Sequence, residues 1–343
     1  MTVGVAFIGG GSVARMHAEA LERLPATLVG VADPDDSARA HFEGRGVPTY
    51  RDHTALLSDA DPDVALIAVP NDEHAECATA ALEAGVDVLV EKPLAHDPES
   101  AERIVSAAED VEATAVVGFT LVFKPTVEHV IEGVQNGRFG DIYDVDLRYV
   151  RRRGIPQLGS WFTQRRRAGG GPLMDSGVHL LAVVLAALDY PEVERVSAAT
   201  HLAFGRKDHY TYHDMWGGDP LPDPTATVED AVRALVVFAD GTSLALDCAW
   251  ASNREPERSI TLLGTTSGVS LSVHEENAVI YGTDGDAVSN TKLDFEEADP
   301  FVRQWKYFLS VHRGERDHDI NTLEQGLAVQ ELVDDIYQSA EVS

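Results

Sequence analysis

The chain has 343 residues, 44% of them hydrophobic, which is enough for two domains with well-formed cores. Its 57 Asp plus Glu outweigh 27 Lys plus Arg, and the net charge of −30 argues against nucleic acid as a partner. Two cysteines, Cys77 and Cys248, with no CxxC pair argue against a disulfide framework and against a cysteine-built zinc site.

Residues 3–8 (VGVAFI) are nearly all apolar, as a strand buried on both faces requires. Gly9, Gly11 and Ala14 then fit G-x-G-x-x-G/A, the strand–turn–helix junction that lets a dinucleotide pyrophosphate approach the backbone. Ser12 and Val13 stand at the helix start, where unpaired N–H groups and the helix dipole favour an anion. A second strand, 27–32, ends at Asp33, 22 residues after Gly11. An acidic residue there binds the adenosine ribose hydroxyls and repels a 2′-phosphate, so NAD is expected ahead of NADP. The plainer alternative makes Asp33 a turn residue before Pro34. Ser37 and Arg39 lie where they could still assist a 2′-phosphate, so NADP stays possible.

A helix over 37–45, a short strand over 48–50 and a buried strand over 64–69 follow, the last ending at Pro70-Asn71. Helix 72–84 stops at Gly85, a suitable C-terminal glycine. Strand 87–90 runs into Glu91-Lys92-Pro93, and helix 98–109 leads to strand 113–119. Such alternation predicts an α/β domain, a doubly wound parallel sheet with helices on both faces.

From about residue 125 the pattern changes. Helix 125–136 precedes strand-like alternation over 142–151, 195–202, 231–238, 242–250, 258–262 and 278–281, with Asp240-Gly241 as a hairpin turn. Helices near 178–188 and from 300 onward complete an α+β domain with a large, open, mostly antiparallel sheet. The expected domains are 1–122 and 123–343, and the Gly-, Pro- and Asp-rich stretch 217–224 reads as a surface loop. The first buried strand begins at residue 3 and stretch 178–188 is too short to span a bilayer, so a cytoplasmic protein is expected.

Three clusters fall where ligand contacts are expected. Pro70, Asn71 and His74 follow one strand, and Glu91, Lys92 and Pro93 follow the next. The third, Gly169 to His179, opens a helix on which Asp175 and His179 are four apart and share a face. Each has a duller reading. Lys92 is one of only five lysines, yet fits an exposed strand end. Asp175 suits a helix cap, His179 a core histidine, and His74 a packing residue. No third ligand accompanies Asp175 and His179, so no metal is expected.

The chain resembles the Gfo/Idh/MocA oxidoreductases, which include glucose–fructose oxidoreductase and inositol dehydrogenase. The resemblance spans nearly the full length. It rests on Gly9 to Ala14 with His17, on Pro70-Asn71-x-x-His74, and on AGVDVLVEKPLA around Lys92. GGGPLMDSGVH at 169–179, TVEDAV at 227–232 and the helix QELVDDIYQSA extend it. It implies a Rossmann domain followed by a sheet domain whose outer face makes homodimers or homotetramers. It also implies cofactor contacts from Gly9, Gly11, Ser12, Val13, Asp33, Pro70, Asn71, His74, Glu91 and Lys92. Lys92 would stabilise a developing alkoxide, His179 would serve as general base or acid, and Asp175 would orient substrate or imidazole.

Two departures bear on substrate. The arginine-phenylalanine pair common after the last Rossmann strand is Thr120-Leu121-Val122-Phe123 here, and an aspartate common three residues after the histidine is Ala182. Arg151 to Arg153 and Arg165 to Arg167 place six basic residues within 17 positions, beside the catalytic segment. They suit an anionic substrate, with Arg153 its candidate contact, or acidic partners across a subunit interface. Trp161 would stack on a sugar ring or fill the core. His209, His213 and Asp214 have metal-like spacing within a stretch that reads as a loop over the pocket.

The sequence therefore reads as an NAD(P)-dependent dehydrogenase of a sugar, polyol, cyclitol or related hydroxy compound. A glycoside-cleaving enzyme working by transient oxidation and a non-catalytic ligand sensor are the rivals. Acidic residues spread along the whole chain resemble the surfaces of cytoplasmic proteins from salt-loving archaea.

Overall fold

A computed structural model describes residues 2–111, 113–205, 210–211, 219–222, 224–273 and 275–341. The chain forms two compact units: Met1–Thr120 with Asp299–Leu327, and Leu121–Ala298 with Ala328–Ser343. Segment 299–327 thus belongs with the first unit, whereas the sequence reading kept all of 123–343 together. The reason is aromatic: Trp305, fully buried, stacks on Phe7 of the first strand at 6.2 Å.

The first unit holds a six-stranded sheet in the order β3-β2-β1-β4-β5-β6, every pair parallel. Its strands are β1 (Val3–Ile8), β2 (Ala26–Ala32), β3 (Thr49–Tyr50), β4 (Val64–Ile67), β5 (Asp87–Val90) and β6 (Ala115–Val117). The connecting helices are α1 (Ser12–Leu21), α2 (Asp36–Glu43), α3 (His53–Ala60), α4 (His74–Glu83) and α5 (Pro98–Val111). Strand order reverses between β1 and β4, the switch point outside which ligands bind in doubly wound sheets. Val5, Ala6 and Phe7 are wholly buried in β1, each large apolar side chain stabilising by about 1.5–3 kcal/mol.

The sequence reading missed α3. Only Leu56 of its eight residues is buried, so it shows no apolar stripe, but Asp52 caps it by accepting from the Ala55 N–H at 2.9 Å.

The second unit carries an eight-stranded sheet in the order β14-β13-β12-β11-β7-β10-β9-β8. All neighbours are antiparallel except β7 with β10, which run parallel. In chain order α6 (Pro125–Gln135) precedes β7 (Ile142–Val150), and α7 (Arg165–Ala168) precedes α8 (Val178–Ala187). The remaining strands are β8 (Val193–His201), β9 (Ala231–Phe238), β10 (Ser243–Ala249), β11 (Glu257–Gly264), β12 (Gly268–Ser272), β13 (Asn277–Asp284) and β14 (Ala287–Asp294).

Alternation in β9 buries Val232, Val236 and Phe238 on one face, while Leu235 stays exposed on the other. Strand β14 has almost no buried residue, so the hydrophobic pattern could not reveal it. The helical stretch expected from 300 onward consists of α9 (Pro300–His312) and α10 (Leu323–Glu341), with Gly314 at φ +68° just beyond the end of α9. Arg165–Ala187 is apolar and long enough to cross a membrane by composition. Yet 83% of its most apolar window is buried inside the protein, which marks a core element.

Candidate active site

In the first unit, β1 delivers the chain into Gly9 to Gly11. Gly9 has φ +100°, and a Cβ there would sit 2.1 Å from the Ala68 carbonyl oxygen, so only glycine fits. Gly11 is different. Its φ is −68°, and a Cβ would meet nothing within 4 Å, so its missing side chain leaves room for something outside the protein. No side chain caps α1 above it, which keeps the first-turn N–H groups of Ser12 and Val13 available to an anion. A dinucleotide pyrophosphate fits this cradle.

Asp33 lies half-buried at the end of β2. One carboxylate oxygen accepts from the Gly10 N–H and the other from the Asp35 N–H, both at 2.8 Å. Each oxygen retains a second lone pair for a ribose hydroxyl.

His74 and Glu91 are braces. His74 is buried, with Nε2 3.0 Å from the Val69 carbonyl and Nδ1 2.9 Å from that of Pro93. Both nitrogens thus face protein rather than a ligand, and desolvation holds the imidazole below its ordinary pKa. The ring ties the turn after β4 to the turn after β5. Asn71, also buried, and the half-buried Pro70 lie on that same turn.

Glu91 accepts from His17 Nε2 at 2.8 Å and from the Lys92 N–H at 3.1 Å. His17 Nδ1 accepts from the Trp305 indole at 2.9 Å. Because an indole N–H only donates, the His17 proton must sit on Nε2, where Glu91 takes it. This chain fixes the strand end from which the half-buried Lys92 emerges, followed by cis Pro93. Nothing in the local sequence around His17 pointed to Trp305.

In the second unit the triple glycine is a packing device. Gly169 ends α7 at φ +81°. A Cβ on Gly170 would meet the Tyr337 hydroxyl at 2.0 Å, and one on Gly171 the Glu229 carbonyl oxygen at 2.0 Å. The Gly171 N–H donates to both Glu229 carboxylate oxygens at 3.0 Å, and Tyr337 donates to one of them at 2.7 Å. Burial pushes the Glu229 carboxyl up to about 7, against these bonds, which favour its anion. Glu229 was visible in sequence only as part of TVEDAV.

Beyond Gly171 the chain makes a π-helical turn, Leu173–Gly177, before α8. Asp175 therefore sits on a widened turn rather than on the regular helix expected, an irregularity common at functional positions. Between positions 170 and 185 every residue is buried except Asp175 and His179, which are half-buried. Asp175 Oδ2 accepts from the Trp250 indole at 2.9 Å and the Ser176 hydroxyl at 3.0 Å. Arg151 donates to Ser176 at 3.3 Å and to the Tyr149 hydroxyl at 2.8 Å. It is mostly buried, with Asp175 a nearby counter-charge. Trp250 is a site residue that sequence reasoning did not pick out, and Arg151 was legible only as one member of a basic run.

Arg151, Arg153 and Arg165 from the two clusters are engaged inside the chain. Arg153 donates to the carbonyls of Arg152 and Ser252 and to Asn253, and lies over the Phe204 ring. Arg165 pairs with Glu341 at 3.2 Å. Trp161 stacks on Phe162 at 3.7 Å. Among the described residues no three His, Cys, Asp or Glu cluster as a metal would require. His209, His213 and Asp214 lie outside the described residues, as does part of the stretch 217–224.

Residues 3–119 match the family model described as the oxidoreductase family with NAD-binding Rossmann fold, and residues 127–288 match the GFO/IDH/MocA C-terminal domain. The chain belongs to the Gfo/Idh/MocA oxidoreductase family. It is accordingly an NAD-binding oxidoreductase whose two-sheet fold is the one the sequence predicted.

D-glucoside 3-dehydrogenase of Escherichia coli (strain K12) is 33% identical over 345 residues, covering 98% of this chain and 95% of the relative. Among solved structures, an oxidoreductase domain protein from Kribbella flavida superposes with a TM-score of 0.86 at 23% identity, over 100% of this chain and 98% of that one. A levoglucosan dehydrogenase in complex with NADH does so with 0.85 at 22% identity, over 100% and 98%. Both structural matches share the fold of this Gfo/Idh/MocA protein.

Proposed function

We propose that this enzyme oxidises a secondary hydroxyl of a pyranose sugar or glycoside, with NAD as the hydride acceptor. The observation that carries this is the exposure pattern of 170–185, where an aspartate and a histidine alone reach out of a buried segment. The full-length likeness to a D-glucoside 3-dehydrogenase supports the substrate class.

Bound NAD takes the hydride, chemistry that belongs to the cofactor. The chain's residues do the rest. Imidazole titrates near neutral pH, so His179 removes the hydroxyl proton with a ring nitrogen. Asp175, oriented by Trp250 and Ser176, favours the imidazolium that results. Lys92 Nζ stabilises the developing alkoxide. Gly9, Gly11, Ser12, Val13 and Asp33 hold the dinucleotide, with Pro70, Asn71, His74 and Glu91 shaping the turns beside it.

We place the enzyme in the cytoplasm of a salt-rich cell, as a homodimer or homotetramer built on the β7–β14 sheet. Its net charge of −30 and the exposed Tyr143, Leu235, Tyr281 and Val288 favour this.

The test is nicotinamide absorbance in molar KCl with methyl glucosides, free aldoses, cyclitols and sugar acids. Net reduction of NAD with a glycoside or aldose supports the reading. Aglycone release without net reduction would assign the chain to the glycoside-cleaving alternative. No turnover by folded, cofactor-binding protein would favour the ligand sensor.

A further inference from the structure

The end of β2 reads Asp33-Pro34-Asp35-Asp36, and two arginines lie against it. Arg39 is turned inward, its side chain 9% exposed. One of its guanidinium nitrogens donates to the Asp33 backbone carbonyl at 2.5 Å and the other to Asp36 Oδ1. Arg51 donates to the same Asp36 oxygen at 3.1 Å. A single carboxylate oxygen therefore engages both guanidinium groups beside Asp33.

The Asp36–Arg51 pair contributes little to the fold. Asp36 and Arg51 are 77% and 76% exposed, and ion pairs of that kind contribute roughly 0–1 kcal/mol. Its effect falls on what the two arginines are free to bind. The 2′-phosphate that separates NADP from NAD is recognised by guanidinium groups near the end of this strand. Ser37, the other residue placed to assist a phosphate, is itself bonded through its hydroxyl to Asp35. Each side chain that would welcome a 2′-phosphate is thus occupied by an aspartate of the same run.

On the reading that the first unit binds a dinucleotide through Asp33, we propose that Asp36 determines cofactor choice. It holds Arg39 and Arg51 away from a 2′-phosphate. Asp33 repels the phosphate directly; Asp36 removes the cations that would offset that repulsion. The two act on different groups, so their effects are separable.

The experiment titrates purified protein with NADH and with NADPH, following ligand fluorescence and thermal stabilisation, with no substrate present. Wild type binds NADH more tightly. Asp36→Ser tightens NADPH about tenfold, a change of about 1.4 kcal/mol, and leaves NADH within a factor of about two. Adding Arg51→Met and Arg39→Met removes that gain, while retained NADH binding verifies that these variants fold. Asp36→Ser with Arg51→Met alone, a purely surface change, loses part of it. An unchanged NADH-to-NADPH ratio in Asp36→Ser overturns the proposal, and so does a gain that survives loss of both arginines. Wild type that binds neither dinucleotide overturns the underlying reading as well.

Discussion

Trp305 donates its indole N–H to His17 Nδ1 at 2.9 Å, across 288 positions of sequence, and thereby sets which nitrogen of that buried histidine carries the proton. Trp305→Phe keeps most of the ring volume but removes the donor. The expected loss is about 1–2 kcal/mol of stability, the cost of one buried hydrogen-bond partner left unmatched. A denaturant midpoint that falls with an unchanged slope checks it; an unchanged midpoint would mean that the bond contributes nothing.

Gly9 and Gly11 separate folding from binding. Gly9→Ala drives a methyl into the Ala68 carbonyl at a positive φ and should unfold the first unit or lower its melting point sharply. Gly11→Ala meets open space at a φ that alanine accepts, so the melting point of the free protein should stay within about 2 °C of wild type. Its NADH affinity should drop at least about tenfold, since the methyl occupies the phosphate cradle. Equal NADH affinity in Gly11→Ala would remove the pyrophosphate from that turn.

His179→Ala should lower turnover by roughly 10²–10⁴-fold, as loss of a general base does. The NADH affinity, which resides in the first unit, should not change. Wild-type turnover in this variant would exclude His179 as the base.

Glu229 gives a pH signature whose sign is fixed. Its carboxyl is raised from 4.5 to about 7 in the folded chain, so between those values the folded state holds a proton that the unfolded state has released. Its contribution is fully present below about pH 4.5 and is lost as pH rises through about 7, on the order of 3 kcal/mol. His74 works the other way. Its lowered pKa makes the folded state bind fewer protons below about 6.5, so stability falls on acidification. Glu229→Gln should therefore flatten the decline between pH 4.5 and 7 and leave the His74 limb. A melting profile identical to wild type would place the Glu229 titration elsewhere.

Stability should also rise from low to molar KCl, because salt screens repulsion among the carboxylates behind the charge of −30. A flat series of melting temperatures would set the salt-adaptation reading aside.

The parallel sheet was legible because buried strands announce themselves as short apolar runs, and Gly9, Gly11 and Asp33 were legible because their spacing is local. What escaped was long-range or pattern-poor. Strand β14 offers few apolar side chains, and α3 rests on an Asp52 cap more than on a hydrophobic stripe. The triple glycine looked like a ligand loop, but Gly170 and Gly171 are small because Tyr337 and Glu229, far away in sequence, press against them. Arg151 sits in a basic run that suggested an outward role. It turns inward because Tyr149, Ser176 and Asp175 offer a buried guanidinium partners that the run itself lacks.

The pairing of β7 with β10 and β11 sets a schedule for the ribosome. β7 is complete at Val150, yet its neighbours span Ser243–Ala249 and Glu257–Gly264, so both its edges stay bare while about a hundred more residues emerge. The first unit waits longer still, since Phe7 and His17 gain their contacts with Trp305 only when residue 305 is made. A growing chain of this protein therefore keeps open strand edges, the surfaces on which wrong pairing starts, until late in its synthesis.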